Sequence, residues 1–168
     1  MRNTTLIIFS ALLASCGTRL EIHKSELQSI NANFTGTYNN LPYKSEGKNQ
    51  SFLLLLNQAE NTQILSLTFT NDKHLSVKYE DTNGPHEQVL KGKFKANKFY
   101  EIDLKKKKIE IPPLIPILYS KYDIDRVRIA VLKNGDLVID KFWKRGGNIF
   151  ILGGGGNGRN QNYFRPGG

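Results

Sequence analysis

From Phe34 onward, apolar residues recur at every second position in short runs divided by turn residues. Leu65, Leu67 and Phe69 alternate with Ser66 and Thr68, and Leu75, Val77 and Tyr79 with Ser76 and Lys78. Leu90, Gly92 and Phe94 alternate with Lys91, Lys93 and Lys95. The same rhythm returns in Tyr100, Ile102 and Leu104, and again in Val127, Ile129 and Val131. A period of two buries one face of a strand and wets the other, as antiparallel sheets allow. The breaks carry turn chemistry: Asn71-Asp72-Lys73, Thr82-Asn83-Gly84-Pro85, Ala96-Asn97 and, as the strongest hairpin signal, Lys133-Asn134-Gly135-Asp136. Many short alternating segments with regular turns predict an all-β domain. The expected architecture is an antiparallel up-and-down barrel or a strongly curved sheet.

Three stretches depart from this rhythm. Phe52-Leu53-Leu54-Leu55-Leu56 is apolar without alternation, which fits a doubly buried strand or a short helix within 51–57. Leu is a weak strand former, so the helix is favoured. Ile111-Pro112-Pro113-Leu114-Ile115-Pro116-Ile117-Leu118-Tyr119 holds three prolines, which exclude a central strand or a helix interior, and reads as an apolar loop. Asn148–Leu152 reads as a last short strand, followed by Gly153-Gly154-Gly155-Gly156-Asn157-Gly158. This run lacks the Gly-Lys-Ser/Thr ending of a phosphate loop, so residues 153–168 are expected to be a glycine-rich flexible tail. The β domain is then 34–152.

The N-terminus changes the picture. Arg2 precedes a short apolar segment, Leu6 to Leu13, far below the roughly 20 residues a membrane-spanning helix needs. Residues 1–15 therefore read as an export signal. Leu13-Ala14-Ser15-Cys16 resembles the lipobox of bacterial lipoproteins. That resemblance implies cleavage before Cys16, a diacylglyceryl group on its thiol with palmitate among the acyl chains of this residue, and a tether over 16–33. Cys16 is the one cysteine of the chain, so a disulfide within the chain and a Cys-x-x-Cys metal site are excluded. Gly17 rather than Asp follows it, which by family resemblance favours the outer membrane, facing the periplasm.

The chain has 168 residues and a formal net charge of +9. Much of the excess is in one window, where Lys91, Lys93, Lys95, Lys98 and Lys105–Lys108 outnumber Glu101 and Asp103. Hairpin pairing of these strands would gather Lys91, Lys93, Lys95, Lys105 and Lys107 into a basic surface for lipid head groups or an anionic envelope polymer. The competing reading is a soluble, protected sheet edge. Nucleic acid is disfavoured by the exported address and by the absence of aromatics between the lysines. His23, His74 and His86 are scattered, so neither a metal site nor any cofactor is expected. Glu101/Asp103 and Asp123/Asp125 have the same-face spacing of a hydrolytic carboxylate pair, but also that of an ordinary solvent-facing strand.

Phe34-Thr35-Gly36-Thr37-Tyr38 resembles the first-strand F-x-G-x-W/Y signature of lipocalin-like proteins. The resemblance implies that the aromatic ring plugs one barrel end and that a later basic residue, Arg126 or Arg128, stacks on it. Taken with the lipobox, the order of features along the mature chain resembles small lipoproteins of Gram-negative bacteria, a group that implies a membrane address and no activity. The functional expectation is a non-enzymatic binding module for a small apolar ligand or an envelope component. Tyr38, Leu67, Phe69, Phe94, Tyr100 and Ile129 would line or fill its interior. The alternative is a structural lipoprotein that holds an anionic polymer through the lysines.

Overall fold

A computed structural model describes residues 22–58, 62–96, 98–111, 119–149 and 152–167. A 3-10 turn at Lys24–Glu26 leads to β1 (Thr35–Asn39), β2 (Lys44–Glu46), α1 (Phe52–Leu55), β3 (Ile64–Asn71), β4 (His74–Asp81) and β5 (Gly84–Lys91). Then come β6 (Lys93–Lys95), β7 (Phe99–Ile111), β8 (Tyr119–Val131), β9 (Leu137–Ile149) and β10 (Leu152–Phe164). The protein is all-β and antiparallel, in two sheets not closed into one barrel: β1-β3-β4-β5 and β2-β10-β9-β8-β7-β6.

The period-two positions meet between the sheets. Leu65, Leu67 and Phe69 of β3 and Leu75 and Val77 of β4 pack against Tyr100 and Ile102 of β7 and Val127, Ile129 and Val131 of β8. The apolar run at 52–56 is a helical turn rather than a strand. Ser51 accepts the Leu54 amide at 3.2 Å as its N-cap, and Phe52, Leu53 and Leu55 are fully buried. Asn40 holds this turn in place by accepting the Leu53 amide through Oδ1 at 3.1 Å.

Two junctions join the sheets. At Gly92 the chain leaves β5 of one sheet and enters β6 of the other. A Cβ there would stand 2.5 Å from the Glu101 carbonyl oxygen and 2.6 Å from the Tyr100 ring, so only glycine lets the strand turn this corner. Opposite, the C-terminal segment crosses to β1: the Asn39 amide donates to Arg165 and the Gly167 amide to Thr37, at 3.1 and 2.9 Å.

Several sequence expectations are corrected here. Within the expected flexible tail, residues 153–167 are ordered: β10 pairs with β9 from Leu152 to Phe164, and the Gly167 amide donates to Thr37. Gly146 lies opposite Gly155 and Gly147 opposite Gly154, so the two glycine runs form one side-chain-free ladder. The domain therefore extends past 152. It also begins before 34, since Leu27 bridges Leu132 and Leu27 and Ile30 are buried. Gly84 and Pro85, read as part of a turn break, already belong to a strand. Pro85 lies within β5, an edge strand, where a missing amide is tolerated. Of the apolar loop read at 111–119, Ile111 ends β7 and Tyr119 begins β8, while 112–118, the export signal and Cys16 lie outside the described residues.

Three buried or bonded tyrosines predict an alkaline limit to stability. Burial pushes the Tyr38 and Tyr100 hydroxyls up to about 12, and Tyr43 reaches about 12 chiefly because it donates to Asp136 Oδ2 at 2.6 Å. The folded state holds these protons more tightly than the unfolded chain, where the value is 10.0. Their contribution is complete below pH 10 and is lost as the pH rises through 12. Circular dichroism followed together with tyrosinate absorbance should show unfolding and ionisation coinciding in that window.

Candidate functional site

The four longest strands outrun the core. Core side chains come from β7 up to Leu104, from β8 after Val127, from β9 up to Ile139, and from Phe164 of β10. Beyond these points roughly seven to twelve residues of each strand continue as a four-stranded blade, ~25 Å along its shorter strands at about 3.3 Å per residue. Only β2 and β6 border this sheet, and they pair with 161–163 and 99–101. Among the described residues, both edges of the blade therefore lack a partner strand.

The blade's inner face continues the core face, and charge replaces apolar packing where the core stops. Lys141 follows Ile139 at the next inward position and is 9% exposed. Its ammonium donates to Asn57 Oδ1 at 2.6 Å and lies 3.9 Å from Asp125 Oδ2. Asn57 can offer that oxygen because it closes α1 at φ 64°, a conformation Asn adopts readily. Desolvation lowers the Lys141 pKa, opposed by the charge of Asp125. One residue pair further out, Trp143 stands across the ladder from Asp125, and Arg145 across from Asp123. Asp123 is ion-paired with Lys105 and lies 3.4 Å from Arg145 Nε. The bond from Lys105 holds its carboxyl below the usual range. A shallow cleft of about 300 Å³ follows this β8–β9 seam, lined by Tyr119, Tyr122, Asp123, Arg145 and Gly147 among others.

The outer face carries a second charge ladder, nearer the core. Arg128 Nε donates to Glu101 Oε2 at 3.0 Å and Arg126 Nε to Asp103 Oδ1 at 2.8 Å, while Arg159 pairs with the buried Asp140. Glu101 and Asp103 are thus neutralised by their strand neighbours, not poised as a hydrolytic pair. Arg126 and Arg128 do not stack on Tyr38: they point to the outer face, whereas Tyr38 is in the core, its ring folded back over Gly36. Arg128 lies over the Phe99 ring instead, at 5.2 Å.

The interior set from the sequence is brought together. Tyr38, Leu67, Phe69, Tyr100 and Ile129 are at most 5% exposed, and Phe94 packs against them. Phe69 has ring centroids of Phe94 and Tyr100 each 4.8 Å away, so these side chains fill the space between the sheets.

The lysine set is not brought together. Lys91 belongs to the four-stranded sheet, opposite His74. Lys93 and Lys95 stand opposite Glu101 and Phe99 on the outer face of the other sheet. A bulge between Asp103 and Lys105 shifts the alternation by one residue, which turns Lys105 and Lys107 to the inner face beside Asp125 and Asp123. The five lysines are divided among different surfaces. The signal for the inner-face cluster was Lys141-x-Trp143-x-Arg145 read against Asp123-x-Asp125, legible only once β9 is known to continue past Asp140.

The chain matches no protein-family model, no curated protein and no solved structure. The site must be read from its own residues.

Proposed function

We propose that this protein is a non-enzymatic, lipid-anchored lipoprotein of the cell envelope, held at the outer membrane on the periplasmic side, that presents its β blade to an envelope component. The observation that carries the binding role is the blade itself. Four paired strands run well past the core that their other ends help to build, and they present a cleft and a tryptophan among paired charges. Nothing in core stability calls for such an extension. The filled interior favours an external surface over enclosure of a small apolar ligand. Among the described residues no helix is long and apolar enough to cross a membrane, and the attachment proposed here needs none: acyl chains on Cys16 anchor through about 0.8 kcal/mol per buried CH₂.

A second reading, salt-dependent capture of an anionic polymer, is favoured by Lys105–Lys108, four exposed lysines on the stretch of β7 that, among the described residues, pairs with β8 alone.

Anchoring is tested by growing expressing bacterial cells with labelled palmitate. The wild-type chain should carry label and sediment with membranes. Cys16→Ala should lose the label and retain the signal peptide. Label retained by the Cys16→Ala chain would remove the lipoprotein reading.

A further inference from the structure

Trp143 lies on a floor of glycine. A Cβ on Gly158 would stand 2.5 Å from the indole Nε1 and 2.7 and 2.8 Å from Cε2 and Cζ2. A Cβ on Gly156 would stand 3.5 and 3.6 Å from Cη2 and Cζ3. The indole therefore lies lengthwise along β10, its pyrrole end above Gly158 and its benzo end above Gly156. Real side chains at 158 would lift it away. The ring is only partly buried, although it is the largest apolar side chain of the blade and lies two inward positions beyond Ile139, the last core residue of β9. Around it are groups of both hydrogen-bonding senses: Arg145, whose guanidinium is 6.0 Å from the ring centroid, and Asp123 and Asp125. Asp125 is 7% exposed and keeps Oδ1 buried without a hydrogen-bond partner among the described residues. Such an orphaned acceptor calls for a donor.

We infer that Trp143 is a stacking platform for a hexopyranose ring of an envelope glycan, with Arg145 and Asp123 on its rim and Asp125 reached through a bridging water. A flat aromatic surface edged by donors and acceptors suits a ligand with one apolar C–H face and a hydroxylated rim. A pyranose has that form. A fatty chain leaves the rim charges unanswered. A bare polyanion does not use the indole and meets carboxylates beside the bases, because Lys105, Asp123 and Arg145 already pair among themselves.

This inference deepens the binding role proposed above, but it does not depend on acylation of Cys16, so its failure leaves the anchoring reading intact. Trp143 is the one tryptophan of the chain, so intrinsic fluorescence reports this site directly. The full chain, purified in mild detergent, is titrated with a β-1,4-linked N-acetylglucosamine hexamer, a β-1,4-linked glucose hexamer, and polyphosphate. The expected result is a saturable shift of emission to shorter wavelength with at least one hexamer. That affinity should change little between about 0.05 and about 0.5 M salt, because stacking is not screened. Calorimetric titration should show affinity falling by about tenfold or more in Trp143→Ala, and by less in Trp143→Phe, which keeps an aromatic face. Gly158→Ala should weaken binding by displacing the ring, with unchanged circular dichroism showing that the sheet persists. Failure of both hexamers to shift emission or give calorimetric heat at millimolar concentration would overturn the inference. So would unchanged hexamer affinity in Trp143→Ala. Binding of polyphosphate alone, lost at high salt, would replace it with the lysine reading.

Discussion

Phe69→Ala is expected to lower the unfolding free energy by about 3–5 kcal/mol, the range for truncating a large aromatic in a packed interior. The ring has three aromatic neighbours, Phe94 and Tyr100 at 4.8 Å and Phe34 at 6.2 Å, and is 5% exposed. These neighbours come from two strands of the opposite sheet and from the segment before β1, so removal opens a void that no single element can close by sliding. For a chain of this size such a loss corresponds to roughly 10 °C or more in Tm. Thermal and urea unfolding of the variant measure it. A protein that used this interior for a ligand would behave otherwise, with a mild loss in the free state. A change below about 1 kcal/mol would show that Phe69 lines space rather than fills it.

Glu101→Ala is expected to cost about 2–3 kcal/mol, below the full range for breaking a buried ion pair because the partners keep some contact with water. The Glu101 carboxylate is 7% exposed, Arg128 is 11% exposed, and Arg126 Nη1 lies 3.8 Å from the same oxygen. Removing the acid leaves the Arg128 guanidinium without this carboxylate, while Arg126 keeps Asp103. The double variant Glu101→Ala, Arg128→Met should recover part of the loss, because the guanidinium that has lost this carboxylate is removed with it. Denaturant unfolding of the two single variants and the double variant yields the coupling. Strict additivity would mean that the pair contributes nothing, and that the outer-face ladder is solvated ornament.

The strand positions were legible because antiparallel sheets impose period two, and one wet face preserves it. Leu65-Ser66-Leu67-Thr68-Phe69 could be placed on a strand with its buried face known, and so could the Asn134-Gly135 hairpin, whose glycine adopts φ 91°. The short helix was legible from what alternation could not explain. The blade was not. Gly153–Gly158 has one side chain, that of Asn157, and so no alternation, and its strand state depends on Arg145-Gly146-Gly147 lying opposite, a relation between segments that no local pattern records. The lysine surface failed for a related reason. A single-residue bulge after Asp103 reverses the face of everything beyond it, and nothing in Leu104-Lys105-Lys106 announces the bulge.

The amino-acid order by itself determined an all-β chain, its turns, its buried set and a lipobox-like start, because each rests on local periodicity or a contiguous motif. Tertiary pairing alone decided that the strands form two sheets joined at Gly92, that a glycine run becomes β10, and that Trp143 lies flat on it among Asp123, Asp125 and Arg145. The physical reason is range. Period and turn chemistry act over a few residues, whereas a bulge, a sheet switch and a glycine floor take their meaning from the strand alongside.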